Sequence, residues 1–109
     1  MKNKTFAYIC APGKNNTAYS RALCDMGYVP ITPKAMFSYL SDKVPEQREA
    51  KKRMSQLLLR RCRAVVVCSD VITEEMEEEI MLAKRHGIIT TTLAGITKIS
   101  KHTETGEEE

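Results

Sequence analysis

The stretch Ala64–Cys68 (AVVVC), followed by Ser69-Asp70 and then Thr73–Arg85 (TEEMEEEIMLAKR), decides the fold. A continuous β-branched run marks a strand buried on both faces, which is the habit of parallel sheets covered by helices. Directly after it, Thr73 can cap a helix, with Glu74 and Glu75 in the first turn near the positive end of the dipole. Met76, Ile80 and Ala83 follow at helical spacing, and Gly87 closes the helix. The unit is therefore strand, loop, amphipathic helix, and then a further strand over Ile88–Leu93.

Working outward, the same alternation recurs. Thr5–Cys10 (TFAYIC) is β-prone and stops at Ala11-Pro12-Gly13. Asn15, Asn16 or Thr17 can cap a helix whose apolar positions are Ala18, Tyr19, Ala22, Leu23 and Met26, ended by Gly27. Tyr28–Ile31 reads as a second strand, stopped by Thr32-Pro33. Lys34–Val44 reads as a short helical turn or a structured loop. Pro45 suits a first helical position, and Ala50, Met54, Leu57, Leu58 and Cys62 form one apolar stripe, so Pro45–Arg61 is expected to be an amphipathic helix. The order β-α-β-(turn)-α-β-α-β predicts right-handed crossovers and one α/β domain over residues 1–94, with a parallel sheet of four to five strands flanked by helices. Residues 95–109 read as a polar acidic tail, expected to be flexible.

Composition narrows the function classes. The 109 residues suit one domain, with ordinary apolar (42%) and charged (28%) fractions. No secretory leader or run of about 18 apolar residues is visible, so a cytoplasmic protein with no membrane partner is expected. Cys10, Cys24, Cys62 and Cys68 match no zinc or redox spacing, and with two histidines no metal or other cofactor is expected. They read as reduced, mostly buried thiols, with only Cys10, at a strand end, placed to face a site. The positive excess gathers on Arg48, Lys51, Lys52, Arg53, Arg60, Arg61 and Arg63. Such a run can bind nucleic acid or phosphates, but interleaved stacking aromatics are missing, and a solvated helix face is the simpler reading.

Ligands of parallel sheets bind at the carboxyl ends of the strands, near the point where strand order reverses. That rule selects the loops Ala11–Asn16, Pro33–Phe37 (with Lys34) and Ser69–Thr73. The first loop lacks the glycines and Lys-Ser/Thr ending of a P-loop, and Tyr8, inside the preceding strand, could point to either face. At the third loop, the helix start is crowded with Glu74, Glu75, Glu77, Glu78 and Glu79, which would repel a phosphate there. At 100° per residue Glu79 lies about 60° from Met76, flanking the buried stripe rather than pointing to water.

The opening YICAP run, the asparagines and helix after it, the stretch Gly27–Pro33 and above all Asp70–Ala83 (DVITEEMEEEIMLA) resemble the nucleoside 2-deoxyribosyltransferase superfamily over roughly residues 5–93. The nearer likeness is to its small uncharacterised branch, common in phages and mobile elements. The resemblance implies a flavodoxin-like parallel sheet. In the characterised transferases this segment carries Gly-Thr-x-x-Glu, whose glutamate attacks the sugar C1′ and holds a covalent glycosyl intermediate. That glutamate corresponds to Glu79, and the Gly-Thr pair is Glu75-Met76 here; methionine at this place occurs in the uncharacterised branch. The family's nucleoside-contacting first loop corresponds to Ala11, Pro12 and Gly13, and an acid that helps position base or sugar corresponds to Asp70. The expected ligand-binding set is then Tyr8, Ala11, Pro12, Gly13, Asn16, Lys34, Thr73, Glu75 and Met76, with Glu79 and Asp70 as the catalytic candidates. A homo-oligomer is implied as well. Three functions follow: a non-catalytic binder of a nucleoside- or nucleotide-like molecule, such as a phage sensor or sequestering protein; an N-glycosidic bond enzyme using Glu79; or a nucleic-acid or protein interaction module on the basic helix.

Overall fold

The computed structural model describes residues 5–13 and 16–98. Its elements are β1 (Thr5–Cys10), α1 (Thr17–Asp25), β2 (Tyr28–Ile31), α2 (Pro33–Met36), α3 (Pro45–Arg60), β3 (Ala64–Val67), α4 (Glu74–Arg85) and β4 (Ile89–Thr92). All strand pairs are parallel, in the order β2-β1-β3-β4. This is an α/β fold with a flavodoxin-like arrangement, and four strands lie among the described residues.

The side chains of β1 and β3 alternate between two cores. Ala7, Ile9 and Ala11 with Ala64, Val66 and Cys68 face Leu23 of α1 and Ile96. Tyr8, Cys10 and Val65 face Leu59 and Cys62, at and just beyond the end of α3, and Met76 and Ala83 of α4. Val65 and Val66, adjacent in sequence and on opposite faces, are both fully buried, as the β-branched run requires. The edge strands carry lighter burial, and Pro30 is tolerated in β2 because, among the described residues, that strand has only β1 as a neighbour.

Local signals set the helix ends. Thr73 Oγ1 accepts from the Met76 amide at 3.2 Å and starts α4. Gly27 and Gly87 adopt φ of 94° and 68° after α1 and α4, conformations that favour glycine. The Lys34–Val44 region contains the single turn α2 and then an irregular connection.

Four expectations need correction. Asn16 occupies the cap position of α1 without capping it; its Nδ2 donates to the Gly13 carbonyl at 3.1 Å and closes the loop instead. The face of α3 turned inward centres on Leu59, with Cys62 one turn on, so Leu57, two positions round the helix from Leu59, is 55% exposed. β4 is shorter at both ends than Ile88–Leu93. Residues 93–98 are helical, and Ile96 is buried in the α1-side core, so 95–98 belong to the folded body rather than to the tail. The rest of the expected tail, 99–109, lies outside the described residues, as do Lys14 and Asn15.

Candidate functional site

From β1 the chain moves through α1 to β2 on one side and later returns to β3 on the other. α1 covers one face of the sheet while α3 and α4 cover the opposite face. The crevice of this reversal opens at the carboxyl ends of β1 and β3. On the α3–α4 face it forms a cleft of about 540 Å³.

Tyr8 and Glu79 meet at its floor. The Tyr8 ring is fully buried beside Leu59 and Met76, and its hydroxyl donates to Glu79 Oε2. Two residues along β1, on the same face, the Cys10 thiol lies 3.5 Å from Glu79 Oε1 and 3.8 Å from the Met76 carbonyl, its single hydrogen shared between the two acceptors. Glu79 itself is half-buried. Helical spacing explains the contact: with Met76 anchored in the core, the residue one turn on lies at the boundary between core and cleft.

Burial pushes the Glu79 carboxyl above its ordinary value, the Tyr8 and Cys10 hydrogen bonds oppose that, the Glu75 charge adds to it, and Lys34 offsets part of it. Burial, and then the Glu79 charge, raises both Tyr8 and Cys10 far above their ordinary values. Both therefore stay protonated and remain donors across the physiological range. The arrangement holds one carboxylate by two neutral donors at the bottom of an open cleft. Such a group can accept hydrogen bonds from a ligand, stabilise developing positive charge, or act as an oxygen nucleophile.

The cleft walls differ in sign. α3 contributes Arg48, Lys51, Lys52, Ser55 and Gln56 with one acid, Glu49; α4 contributes Glu74, Glu75, Glu78 and Glu79. Lys52 Nζ bridges the walls to Glu78 Oε2 at 3.0 Å, and Lys51 Nζ lies 3.0 Å from Asp42 Oδ1. Lys34 Nζ donates to the Pro12 carbonyl at 3.0 Å and lies 4.0 Å from Glu75 Oε2. The contribution of α3 was not anticipated residue by residue. Its signal was present, since 48, 51, 52, 55, 56 and 59 fall on one helical face.

Tyr8, Pro12, Lys34, Thr73, Glu75 and Glu79 thus line one cleft. Ala11, Gly13, Asn16 and Asp70 do not join them. They line a second depression of about 700 Å³ on the α1 side, and Pro12 is the ridge between the two. Asp70 is separated from Glu79 because the loop after β3 turns toward β4 and the α1 face before α4 begins. The Met76 side chain faces the core rather than a ligand; only its backbone reaches the site, through the Thr73 cap and the Cys10 thiol. His86 at the far end of α4 is exposed and does not line the cleft.

Among the described residues no group of three or more His, Cys, Asp or Glu is placed to hold a metal ion, and no helix is long and apolar enough to cross a membrane. No curated protein matches the chain. A family model described as Domain of unknown function (DUF7768) matches residues 5–93, the span from the first residue of β1 to just past β4, and the chain belongs to that family.

Proposed function

We propose that the cleft over Glu79 binds a nucleoside- or nucleotide-derived small molecule, and that the protein works as a non-catalytic binder of the phage sensor or sequestering kind. The observation that carries this reading is the Tyr8–Glu79–Cys10 cluster at the floor of the switch-point cleft. A carboxylate held by two donors retains lone pairs for sugar hydroxyls or base N–H groups. The cleft volume suits a ligand of that size, and the polar side chains Ser55, Gln56 and Thr73 converge on it. The likeness of Asp70–Ala83 to the nucleoside 2-deoxyribosyltransferases supports the ligand class.

The test is a thermal-shift panel of nucleosides and nucleotides on the native chain and on Glu79→Ala. A raised Tm for at least one compound, lost in the variant and without product, is expected. No shift across the panel would overturn the reading.

The same cluster favours a second reading, cleavage of an N-glycosidic bond. A Glu79 oxygen would attack the anomeric carbon while the C–N bond breaks and its electron pair leaves with the base. Water or a second base would then attack the same carbon, releasing the carboxylate and giving up one proton, which balances the proton the departed base takes up. Tyr8 would hold Oε2 in place. Incubation with deoxynucleosides and nucleoside monophosphates should release free base, and release that persists undiminished in Glu79→Gln would sink the mechanism.

A further inference from the structure

We infer that the end of the molecule opposite the cleft binds the phosphodiester backbone of a nucleic acid. Because all strands are parallel, α1, α3 and α4 all end where the strands begin. α3 delivers Arg60 and Arg61 to that end, with Arg63 just before β3, and α4 delivers Lys84 and Arg85. All five are exposed, and among the described residues none has a carboxylate partner. Among the described residues, the acid in the last turns of these helices is Asp25, and it is 3.2 Å from Arg21. The cleft end is the reverse: its lysines Lys34, Lys51 and Lys52 each have a carboxylate within 4.0 Å.

The basic run of α3 therefore has two halves with different surroundings. Arg48, Lys51 and Lys52 face the cleft, while Arg60, Arg61 and Arg63 join the α4 cations. Cations in a last helical turn also complement the helix dipole, which accounts for Arg60, Lys84 and Arg85. Arg63 stands beyond α3, in the approach to β3, and has no such local reason. Its amide donates to the Phe6 carbonyl at 2.8 Å, which sets it beside Phe6 at the start of the sheet. Phe6 is 46% exposed although it sits in β1. Guanidinium forks match phosphate and carboxylate alike, so the discriminating feature is the exposed Phe6 ring next to the Arg63 backbone, an aromatic face that suits a base and not a carboxylate-rich protein surface. The phosphate backbone could come from a single strand or a duplex, and Phe6 gives a base a face to stack on only in the single strand.

The test is fluorescence anisotropy of the full chain with labelled oligo(dT) and, separately, a hairpin duplex, over a series of salt concentrations. For a single strand the slope of log K against log salt is about −0.7 per neutralised phosphate, so five contacts give about −3.5. Arg60→Gln with Arg63→Gln should bring it to about −2, while Lys43→Ala, an exposed cation in the α2–α3 connection, should leave it unchanged. Phe6→Ala should weaken oligo(dT) more than duplex. All three positions are exposed, and a cooperative melt retained in each variant shows that the fold is intact. No binding at low salt, a slope untouched by the double variant, or binding of poly-glutamate in place of both oligonucleotides would overturn the inference. Because these residues lie away from the cleft, loss of the nucleoside-induced shift in Glu79→Ala leaves this result unaffected.

Discussion

The Tyr8 hydroxyl donates to Glu79 Oε2 across 71 residues of chain, joining a central strand to the helix that follows its neighbour. Tyr8 pairs in register with Val65, so the strand that presents the phenol and the strand that launches α4 are locked together. Tyr8→Phe removes one donor from a half-buried carboxylate and little volume. Leaving that group short of a partner costs about 1–3 kcal/mol. A lower denaturant midpoint with an unchanged m-value is expected. The Glu79 carboxyl, followed by 13C NMR, should titrate at higher pH than in the parent.

Glu79 also makes stability depend on pH in a defined direction. Burial raises its folded value above the ordinary 4.5. Between those two values the native state holds more protons than the unfolded state, so stability falls as pH rises through that window and is level above it. Glu79→Gln has no such ionisation, so its stability relative to the parent should rise across the same window. A difference of about 1 kcal/mol moves Tm by roughly 4–8 °C in a domain of this size, which melts between pH 4 and 8 can read. A parent-minus-variant difference that is flat with pH would refute the assignment.

The four cysteines should separate by reactivity. Burial pushes the Cys62 and Cys68 thiols up to about 11, and burial together with the Glu79 charge raises Cys10 still more. At pH 8 a thiol with such a value is only about one part in a thousand thiolate, the reactive form. Cys24 is exposed. A disulfide reagent should therefore modify Cys24 promptly in the native protein and the other three only on unfolding. Prompt modification of Cys10 would show that its contact with Glu79 is not kept in solution.

The starts of β1, β2 and β3, the Thr73 cap and the glycine stops at Gly27 and Gly87 were legible because each rests on a signal within a few residues. The face of Tyr8 was not. Both faces of β1 are buried, so a period of two cannot tell which core takes the even positions. Glu79 could be singled out because its neighbour Met76 fixes the rotation of α4. α3 was misjudged by its stripe: Leu57 and Leu58 look equally apolar, yet rotation is set by Leu59 under the sheet, and this turns Lys51 and Lys52 into the cleft. Asp70 and Glu79, nine residues apart on one loop and helix, were separated by a backbone turn that no side-chain pattern announces.

Charge should decide which ligands enter the cleft. Lys34, Arg48, Lys51 and Lys52 line it, against Asp42, Glu49, Glu74, Glu75, Glu78 and Glu79. A triphosphate adds negative charge beside the acidic start of α4, whereas a neutral nucleoside does not. In low salt the nucleoside should stabilise the protein more than its 5′-triphosphate, and the gap should narrow as salt screens the repulsion. A triphosphate that outperforms its nucleoside at low salt would place the ligand against α3 alone.

The folded body reaches past β4. Ile96 is 2% exposed and packs with Leu23, Val66 and Ala7 on the α1 face, although polar and acidic residues follow it in the sequence. If 93–98 were a loose end, Ile96→Ala would change nothing, since an exposed substitution lies within about 0.5 kcal/mol of neutral. As part of the core, the same change removes buried methyl groups and leaves a cavity, costing about 2–5 kcal/mol. For a domain of this size that is a large share of the total stability. Chemical denaturation of Ile96→Ala beside Leu57→Ala, an exposed aliphatic on α3, separates the two cases: the first should lose stability by kilocalories and the second hardly at all.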